Sequence, residues 1–179
     1  MRAASTIALA ASILLAGCAT RPGVPAETPR TAHFLPEEDL AGRSYGKGEF
    51  RSITGVRRAF DVELNGAWDG STLTLVEDFR YADGVNERKT WRLTKTADGR
   101  YRGVREDVVG EALGYVDGAV FRLEYTMAIP KKDGGARKVQ FRDVLAEDGA
   151  GGVINRANVS WFGIPVGNVD LKTSRTPLS

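Results

Sequence analysis

The chain has one cysteine and one histidine, and this scarcity excludes several kinds of active site. Among its 179 residues, Cys18 is the only cysteine and His33 the only histidine. A Ser-His-Asp triad, a histidine base and a zinc site with His or Cys ligands all need residues that the remainder of the chain lacks. The phosphate-cradling pattern Gly-x-x-x-x-Gly-Lys is also missing. We therefore expect no cofactor and no metal, and these absences argue against an enzyme without excluding one.

Neither charge nor hydrophobicity is concentrated in one place. Lys and Arg number 25 and Asp and Glu 23, so the net charge is only +2. A nucleic-acid binder collects positive charge on one face, whereas the basic residues here are scattered among acids, and we expect no nucleic-acid partner. The apolar stretch Ile7–Ala16 has ten residues, too few for a membrane-spanning helix of about 20.

The first 17 residues are typical of a signal peptide. Arg2 gives a short basic start, the apolar stretch follows, and Leu15-Ala16-Gly17-Cys18 ends it. This ending resembles the bacterial lipobox, which implies a signal peptide over 1–17 and fatty acyl chains, such as palmitate, on Cys18. Two or three acyl chains hold a protein on a membrane far longer than one. By the Gram-negative sorting rule, Ala19 in place of Asp implies the outer membrane, with the domain in the periplasm.

The segment that follows predicts a spacer before one folded domain. Residues 18–35 contain Pro22, Pro25 and Pro29 and show no hydrophobic period, a composition typical of a disordered tether. Residues 36–179 are long enough for a single core.

Within this domain, alternation of apolar and polar residues predicts an all-β fold. Phe121, Leu123, Tyr125 and Met127 share one strand face, for example. Six Asp-Gly pairs recur every 14 to 19 residues, and we expect primed turns in which both residues have positive φ. Strands are predicted near 43–53, 56–68, 72–81, 87–96, 100–107, 119–129, 137–146, 153–161 and 164–173. An antiparallel up-and-down meander of about 8–10 strands has costly edges unless it closes. A lipocalin-like barrel is therefore favoured over a half-open barrel or a two-sheet sandwich.

Several short motifs resemble one bacterial family across nearly the whole domain. They include Tyr45-Gly46-x-Gly48-x-Phe50, Trp68-Asp69-Gly70, Arg88-x-x-Trp91-Arg92-Leu93 and Phe162-Gly163. The pattern resembles the bacterial lipoprotein family called domain of unknown function 3833. The resemblance implies a lipid-anchored envelope protein with a lipocalin-like β fold, and it carries no assigned activity and no catalytic residues.

Carboxylates and arginines are the remaining candidates for chemistry. Glu77 and Asp143 each share a strand face with apolar residues, and Asp107 and Glu111 flank a bend. Two carboxylates about 5–9 Å apart could hydrolyse a glycoside. Alternatively, the acids pair in a structural network, since buried charges persist when paired, or they form the polar floor of a ligand cavity. The candidate cationic partners are Arg88, Arg92 and Arg142.

Three functions follow, in order of preference. The first is a non-catalytic binding or carrier module for a small apolar or lipid ligand, held on the membrane through Cys18. The second is a structural or assembly factor with an exposed aromatic patch around Trp161, Phe162 and Ile164. The third is a carboxylate-dependent hydrolase.

Overall fold

Ten antiparallel strands close into a barrel in the computed structural model, which describes residues 21–131 and 133–178. Each strand pairs with its sequence neighbours, and β1 also pairs with β10, so the sheet has no free edge. This confirms the all-β, lipocalin-like barrel, and the half-open barrel and the sandwich are wrong. The strands are β1 Gly42–Ser52, β2 Arg57–Trp68, β3 Thr72–Tyr81, β4 Asn86–Lys95, β5 Tyr101–Val104, β6 Ala112–Asp117, β7 Val120–Pro130, β8 Ala136–Glu147, β9 Val153–Trp161 and β10 Ile164–Ser174.

Strand β6 is the one that the sequence pattern does not reveal. Two of its three inward positions, Ala112 and Gly114, are small, and only Val116 is a large apolar residue, so no apolar alternation is visible. Ala112 and Gly114 stay small because large rings fill the space beside them: a Cβ on Gly114 would lie 2.5 Å from Cζ of Phe121. The missing signal is therefore a consequence of dense packing.

The Asp-Gly pairs lie at turns, as predicted, but the turn type differs. Their six glycines have φ between 60° and 97°, whereas the preceding aspartates do not have positive φ. At the β3–β4 turn, the Gly84 amide donates to the Tyr81 carbonyl at 3.0 Å, and the Tyr81 amide donates to Val85 at 2.9 Å. These bonds define a three-residue loop that needs only its glycine in the left-handed region. In the described residues, two consecutive pairs have two positive φ values: Phe162-Gly163, at 47° and 79°, and Gly134-Gly135, at 90° and 71°.

One end of the barrel is plugged by the residues before β1. Phe34 is fully buried, and its ring stacks 6.4 Å from that of Phe121. The following helix, α1 Pro36–Asp39, is fixed by Glu37, which accepts a hydrogen bond of 2.6 Å from the Tyr101 hydroxyl. We call this the plugged end. The opposite end, called the rim, consists of the five connections β1–β2, β3–β4, β5–β6, β7–β8 and β9–β10.

Residues 21–35 lie on the barrel wall, where the sequence predicts a free tether. Arg21 pairs with Glu124 at 2.6 Å, and Arg122 donates to the Pro22 carbonyl at 2.9 Å. Pro22 and Pro25 are buried, because proline rings and an apolar wall remove surface from water together. The predicted signal peptide 1–17 and the acylated Cys18 lie outside the described residues. No helix within residues 21–131 and 133–178 is long and apolar enough to cross a membrane.

Candidate functional site

Arg105 is the centre of a buried charged cluster inside the barrel. Its side chain is only 8% exposed. Nη1 lies 3.2 Å from Oε2 of Glu77, and Nε lies 2.7 Å from Oδ1 of Asp107. The guanidinium also lies over two rings, 4.6 Å from the centroid of Trp91 and 5.8 Å from that of Tyr125. Two carboxylates and two aromatic faces therefore saturate this cation.

The loop after β5 brings Arg105 and Asp107 to this position. Strand β5 has four residues and β6 six, so these two strands extend less far towards the rim than their neighbours. The Asp107 carbonyl accepts from the Ala128 amide at 2.9 Å, and the Val109 amide donates to Thr126 at 2.8 Å. These bonds fix the loop to β7. Arg105 continues the period of two that begins with the inward residues Tyr101 and Gly103, and its side chain enters the interior.

Lys89 adds a second positive charge at the edge of the cluster. Its Nζ lies 3.3 Å from Oδ2 of Asp107 and 3.5 Å from Oε2 of Glu87. Burial alone would raise the pKa of Asp107, but Arg105 and Lys89 together hold that pKa below its ordinary value. Burial raises the pKa of Glu77, since Arg105 offsets only part of the desolvation. The two acids that share Arg105 thus have pKa values shifted in opposite directions.

Asp143 forms the second half of the polar layer. It is 6% exposed. Its Oδ2 accepts from the Tyr125 hydroxyl at 3.4 Å and from Nδ2 of Asn155 at 3.3 Å. Burial raises the pKa of Asp143 to about 7, against the opposing hydrogen bond from Asn155 and the attraction of Arg105. Burial, together with the nearby Asp143, also raises the pKa of Tyr125 well above its ordinary value.

Two acceptor atoms in this layer have no hydrogen-bond partner among the described residues. They are Oδ1 of Asp143 and Oδ1 of Asn155. A buried acceptor without a donor costs about 1–3 kcal/mol, so most native structures satisfy such atoms. The pair is therefore suited to receive donors from a proton, a water molecule or a bound molecule.

The polar layer separates a packed lower half from a more open upper half. Below it, Phe34, Tyr101 and Phe121 are at most 1% exposed. Above it, towards the rim, some of the inward apolar side chains are only partly buried, namely Phe50, Phe79, Tyr81, Met127, Val166 and Val169. They pack with four buried ones, Phe60, Val139, Phe141 and Val159. On the β1 side the interior is filled, because a Cβ on Gly46 would lie 2.7 Å from Cδ1 of Leu171.

A small open depression lies on the outer wall at the height of the layer. It has a volume of about 200 Å³ and lies against the wall where β6 stops pairing with β7. Tyr125 and Phe141 are among the residues that line it, and their rings stack inside the barrel with centroids 5.1 Å apart. Other lining residues are Val109, Glu111, Leu113, Glu124, Thr126, Gln140 and Arg142.

Three of the acids predicted as a site meet in the interior, while the predicted arginines do not. Glu77, Asp107 and Asp143 all belong to the polar layer. Arg88 lies on the outer wall, where it pairs with Asp78 at 2.6 Å, and Arg92 is exposed.

Two further predicted residues also face outward. Glu111 is 49% exposed and pairs with Arg102 at 2.8 Å. Arg142 lies 3.7 Å from Glu124 on the wall. The place predicted for a cationic partner is filled instead by Arg105 and Lys89.

The sequence pattern contained a signal for several residues that were not predicted. Asn155 lies on the same strand face as Val153 and Ala157. Arg105 lies two residues after the inward Gly103, and Lys89 two before the inward Trp91. Asn155 and Lys89 follow from strict alternation once the strands are assigned, whereas Arg105 lies beyond the end of β5. No group of three His, Cys, Asp or Glu side chains in the described part of the chain is arranged to hold a metal ion.

Comparison with known proteins identifies the family and the fold. The model of the family described as Protein of unknown function (DUF3833) matches residues 12–175. No curated protein matches the chain at the level of sequence. Among solved structures, the S-type phycobiliprotein lyase from Guillardia theta is similar, with a TM-score of 0.54 and 11% identity over 79% of this chain and 90% of the other. At this identity, the likeness extends to the barrel fold alone.

Proposed function

The chain belongs to the DUF3833 family, which has no assigned activity, and from its geometry we propose that it binds a small amphiphilic, lipid-like ligand. The observation that carries the proposal is the unpartnered Oδ1 of Asp143, buried at mid-depth in a plugged barrel. A barrel of this size can hold one small ligand. The partly buried apolar residues between the layer and the rim suit the body of such a ligand.

The same geometry favours one kind of head group. Arg105 is already bound by two carboxylates, so it has little capacity for an anionic head. The two free acceptors, Oδ1 of Asp143 and Oδ1 of Asn155, instead require hydrogen-bond donors. A neutral head with hydroxyl or amide donors therefore suits the layer better than a free carboxylate. This refines the expectation of fatty acyl cargo, and it assigns no catalytic step to Glu77, Asp107 or Asp143.

A matched pair of lipids tests the proposal. We expect monooleoylglycerol to change the fluorescence of Trp91, which lies against Arg105 in the layer, and oleate to change it less. Asp143→Asn replaces an acceptor by a donor in a side chain of the same shape, and it should weaken the response to monooleoylglycerol. Asp133→Asn, at the exposed β7–β8 turn, is the control. Equal responses of Asp143→Asn and wild type would overturn the assignment of the layer as the binding site.

The location is part of the proposal. We propose that the chain is a lipoprotein acylated on Cys18, with its barrel in the periplasm beside the outer membrane. The lipobox-like ending of residues 15–18 supports it, and metabolic labelling with a fatty acid, lost in Cys18→Ser, tests it.

An assembly factor is the second candidate. The filled interior on the β1 side favours it, because Gly46 and Gly48 leave room only for the neighbouring side chains Leu171 and Phe60. A chain that stays empty with every lipid offered, and that crosslinks to one protein in cells, would favour this alternative.

A further inference from the structure

The exposed apolar side chains of the barrel are collected at the rim. Eight of the eleven large hydrophobic residues exposed in the described chain lie in its five connections or at the rim ends of its long strands. Every one of these connections has at least one in it or beside it. The eight are Ile53, Val56, Val85, Val109, Ile129, Trp161, Phe162 and Ile164. Val104 and Leu113 flank the β5–β6 connection, but they pair with Arg92 and Glu124 in the middle of the longer neighbouring strands and so belong to the wall. The connections at the plugged end, residues 69–71, 96–100, 118–119 and 148–152, contain no large apolar residue. This one-sided distribution indicates a contact surface.

Phe162 is the most prominent of the rim residues. It is 88% exposed at the tip of the β9–β10 turn. Its φ of 47° lies in the left-handed region, which a bulky side chain adopts only at a cost. Asn-Gly is the pair that such a turn prefers. Folding therefore does not explain an aromatic ring at this position, and an external contact does.

The neighbouring hairpin supplies positive charge beside these rings. Strands β8 and β9 pair, so the β7–β8 and β9–β10 turns are adjacent. The guanidinium of Arg137 lies 4.9 Å from the centroid of Trp161. A groove of about 390 Å³ in the same sector is lined by Ile129, Pro130, Lys131, Asp133 and Arg137.

The rim as a whole also carries more positive than negative charge. Leaving aside the interior Arg105 and Asp107 and residue 132, which the structure does not describe, eight basic and five acidic residues lie over residues 51–58, 80–88, 105–111, 130–138 and 161–165. Tryptophan and phenylalanine flanked by Lys and Arg are typical of surfaces that sit in the interface of a phospholipid bilayer. Positive charge adds attraction to anionic lipids.

Between Arg21 and Phe34, the N-terminal segment crosses the outer wall from β7 to β9 and then reaches the plugged end. Read backwards from Phe34, Glu27 pairs with Arg156 at 3.0 Å, and Arg21 reaches Glu124, midway along β7. Cys18 is three residues before Arg21, and three residues span at most about 10 Å, whereas Glu124 lies six residues, roughly 20 Å along the strand, from the rim end of β7. Docking of the rim on the membrane that holds an anchor on Cys18 therefore requires the Arg21–Glu124 ion pair to open, and this pair is solvent-exposed and weak.

We propose that the rim, led by Phe162, Trp161 and Ile164, docks on the surface of the phospholipid bilayer to which the chain is anchored. The proposal rests in part on the acylation of Cys18 put forward above. Docking places the apolar upper half of the barrel next to lipid, where the amphiphile of the proposed function can be exchanged.

Quenching by brominated lipids tests the docking. Protein extracted from its own membranes is reconstituted into vesicles of phosphatidylethanolamine, with or without phosphatidylglycerol, that carry bromine on the acyl chains. The difference between wild type and Trp161→Phe isolates the emission of Trp161 from that of Trp68 and Trp91. We expect strong quenching of Trp161, stronger with phosphatidylglycerol and weaker at high salt.

Matched variants separate docking from folding. Phe162→Asn suits the turn and should fold, yet it should lower the docked population roughly tenfold, as expected for removing one buried aromatic ring. Ile164→Thr at the rim should reduce quenching, and Val104→Thr on the wall, also β-branched and exposed, should not. Equal quenching in all three variants, or an unquenched Trp161 in wild type, overturns the proposal.

The outcomes distinguish failure at the rim from failure of the anchor or of ligand binding. Protein that floats free of vesicles lacks the anchor. Protein that stays on vesicles with Trp161 unquenched, and crosslinks to another protein through the rim, has a protein partner there, which refutes lipid docking. Lipid titration of Trp91 reports on the interior whatever the rim does.

Discussion

Asp143 makes a quantitative prediction for stability against pH. Its pKa is about 7 in the folded protein and 3.8 ordinarily. Between these values the folded state binds a proton that the unfolded state has released, so this group's contribution to the free energy of unfolding falls as pH rises from about 4 to 7. Above pH 7 the contribution is constant. At 1.36 kcal/mol per pKa unit, the whole loss is roughly 4 kcal/mol.

Asp143→Asn should remove this dependence. An amide does not titrate, and its oxygen keeps the bonds from Tyr125 and Asn155. We expect the variant to be more stable than wild type at pH 8, by roughly 2–4 kcal/mol, and to lose most of that advantage at pH 5. The assay is urea denaturation of both proteins at several pH values, analysed as the difference between them.

Asp133→Asn is the control for Asp143→Asn. It changes an exposed carboxylate, 78% accessible at its turn, and its free energy of unfolding should follow the wild-type dependence on pH. A constant difference between wild type and Asp143→Asn from pH 5 to pH 8 would show that Asp143 is ionised throughout. Oδ1 of Asp143 would then have a permanent hydrogen-bond donor within the protein, and it would not need one from a ligand head group.

Three further predictions concern single side chains. Arg105→Met leaves two buried carboxylates without their cation, and it should lower the free energy of unfolding by about 3–5 kcal/mol. Its control, Arg88→Met on the outer wall, should change that free energy by less than about 1 kcal/mol. Urea titration measures both. Gly84→Val should lower the free energy of unfolding by about 1–2 kcal/mol, because the φ of 84° strains the backbone of a β-branched residue although there is space for its side chain. Gly23→Ala, which has no positive φ and open space around it, should leave that free energy unchanged. An unchanged denaturation midpoint for Gly84→Val would contradict the turn assignment. Phe162→Asn should raise the stability by up to about 1 kcal/mol by relieving the left-handed strain, and a lower melting temperature would show that the ring packs in the fold.

The alternation of apolar and polar residues, together with the positions of the Asp-Gly pairs, predicts most of the fold. Residues such as Val62, Leu64 and Leu123 alternate with polar neighbours, and nine of the ten strands follow from such patterns. Strand β6 escapes because Ala112 and Gly114 are small where opposing rings fill the barrel. That information lies in tertiary packing and in no local pattern.

The site is less predictable than the fold, for two physical reasons. Glu77 and Asp143 follow from alternation, and so does the outward direction of Arg92, between the inward Trp91 and Leu93. Arg105, however, lies beyond the end of its strand, and only the hydrogen bonds that fix its loop to β7 bring it inside. The tether prediction fails over residues 21–35 for a similar reason, since composition does not show the wall on which prolines pack.

Native mass spectrometry of the protein extracted gently from its own membranes tests the central claim most directly. We predict that wild type retains a bound amphiphile with a neutral, donor-bearing head group, that Asp133→Asn retains it as well, and that Asp143→Asn has lost it. Wild type at the mass of its covalent chain alone, under conditions that preserve known lipid complexes, would contradict the claim that the polar layer is a binding site.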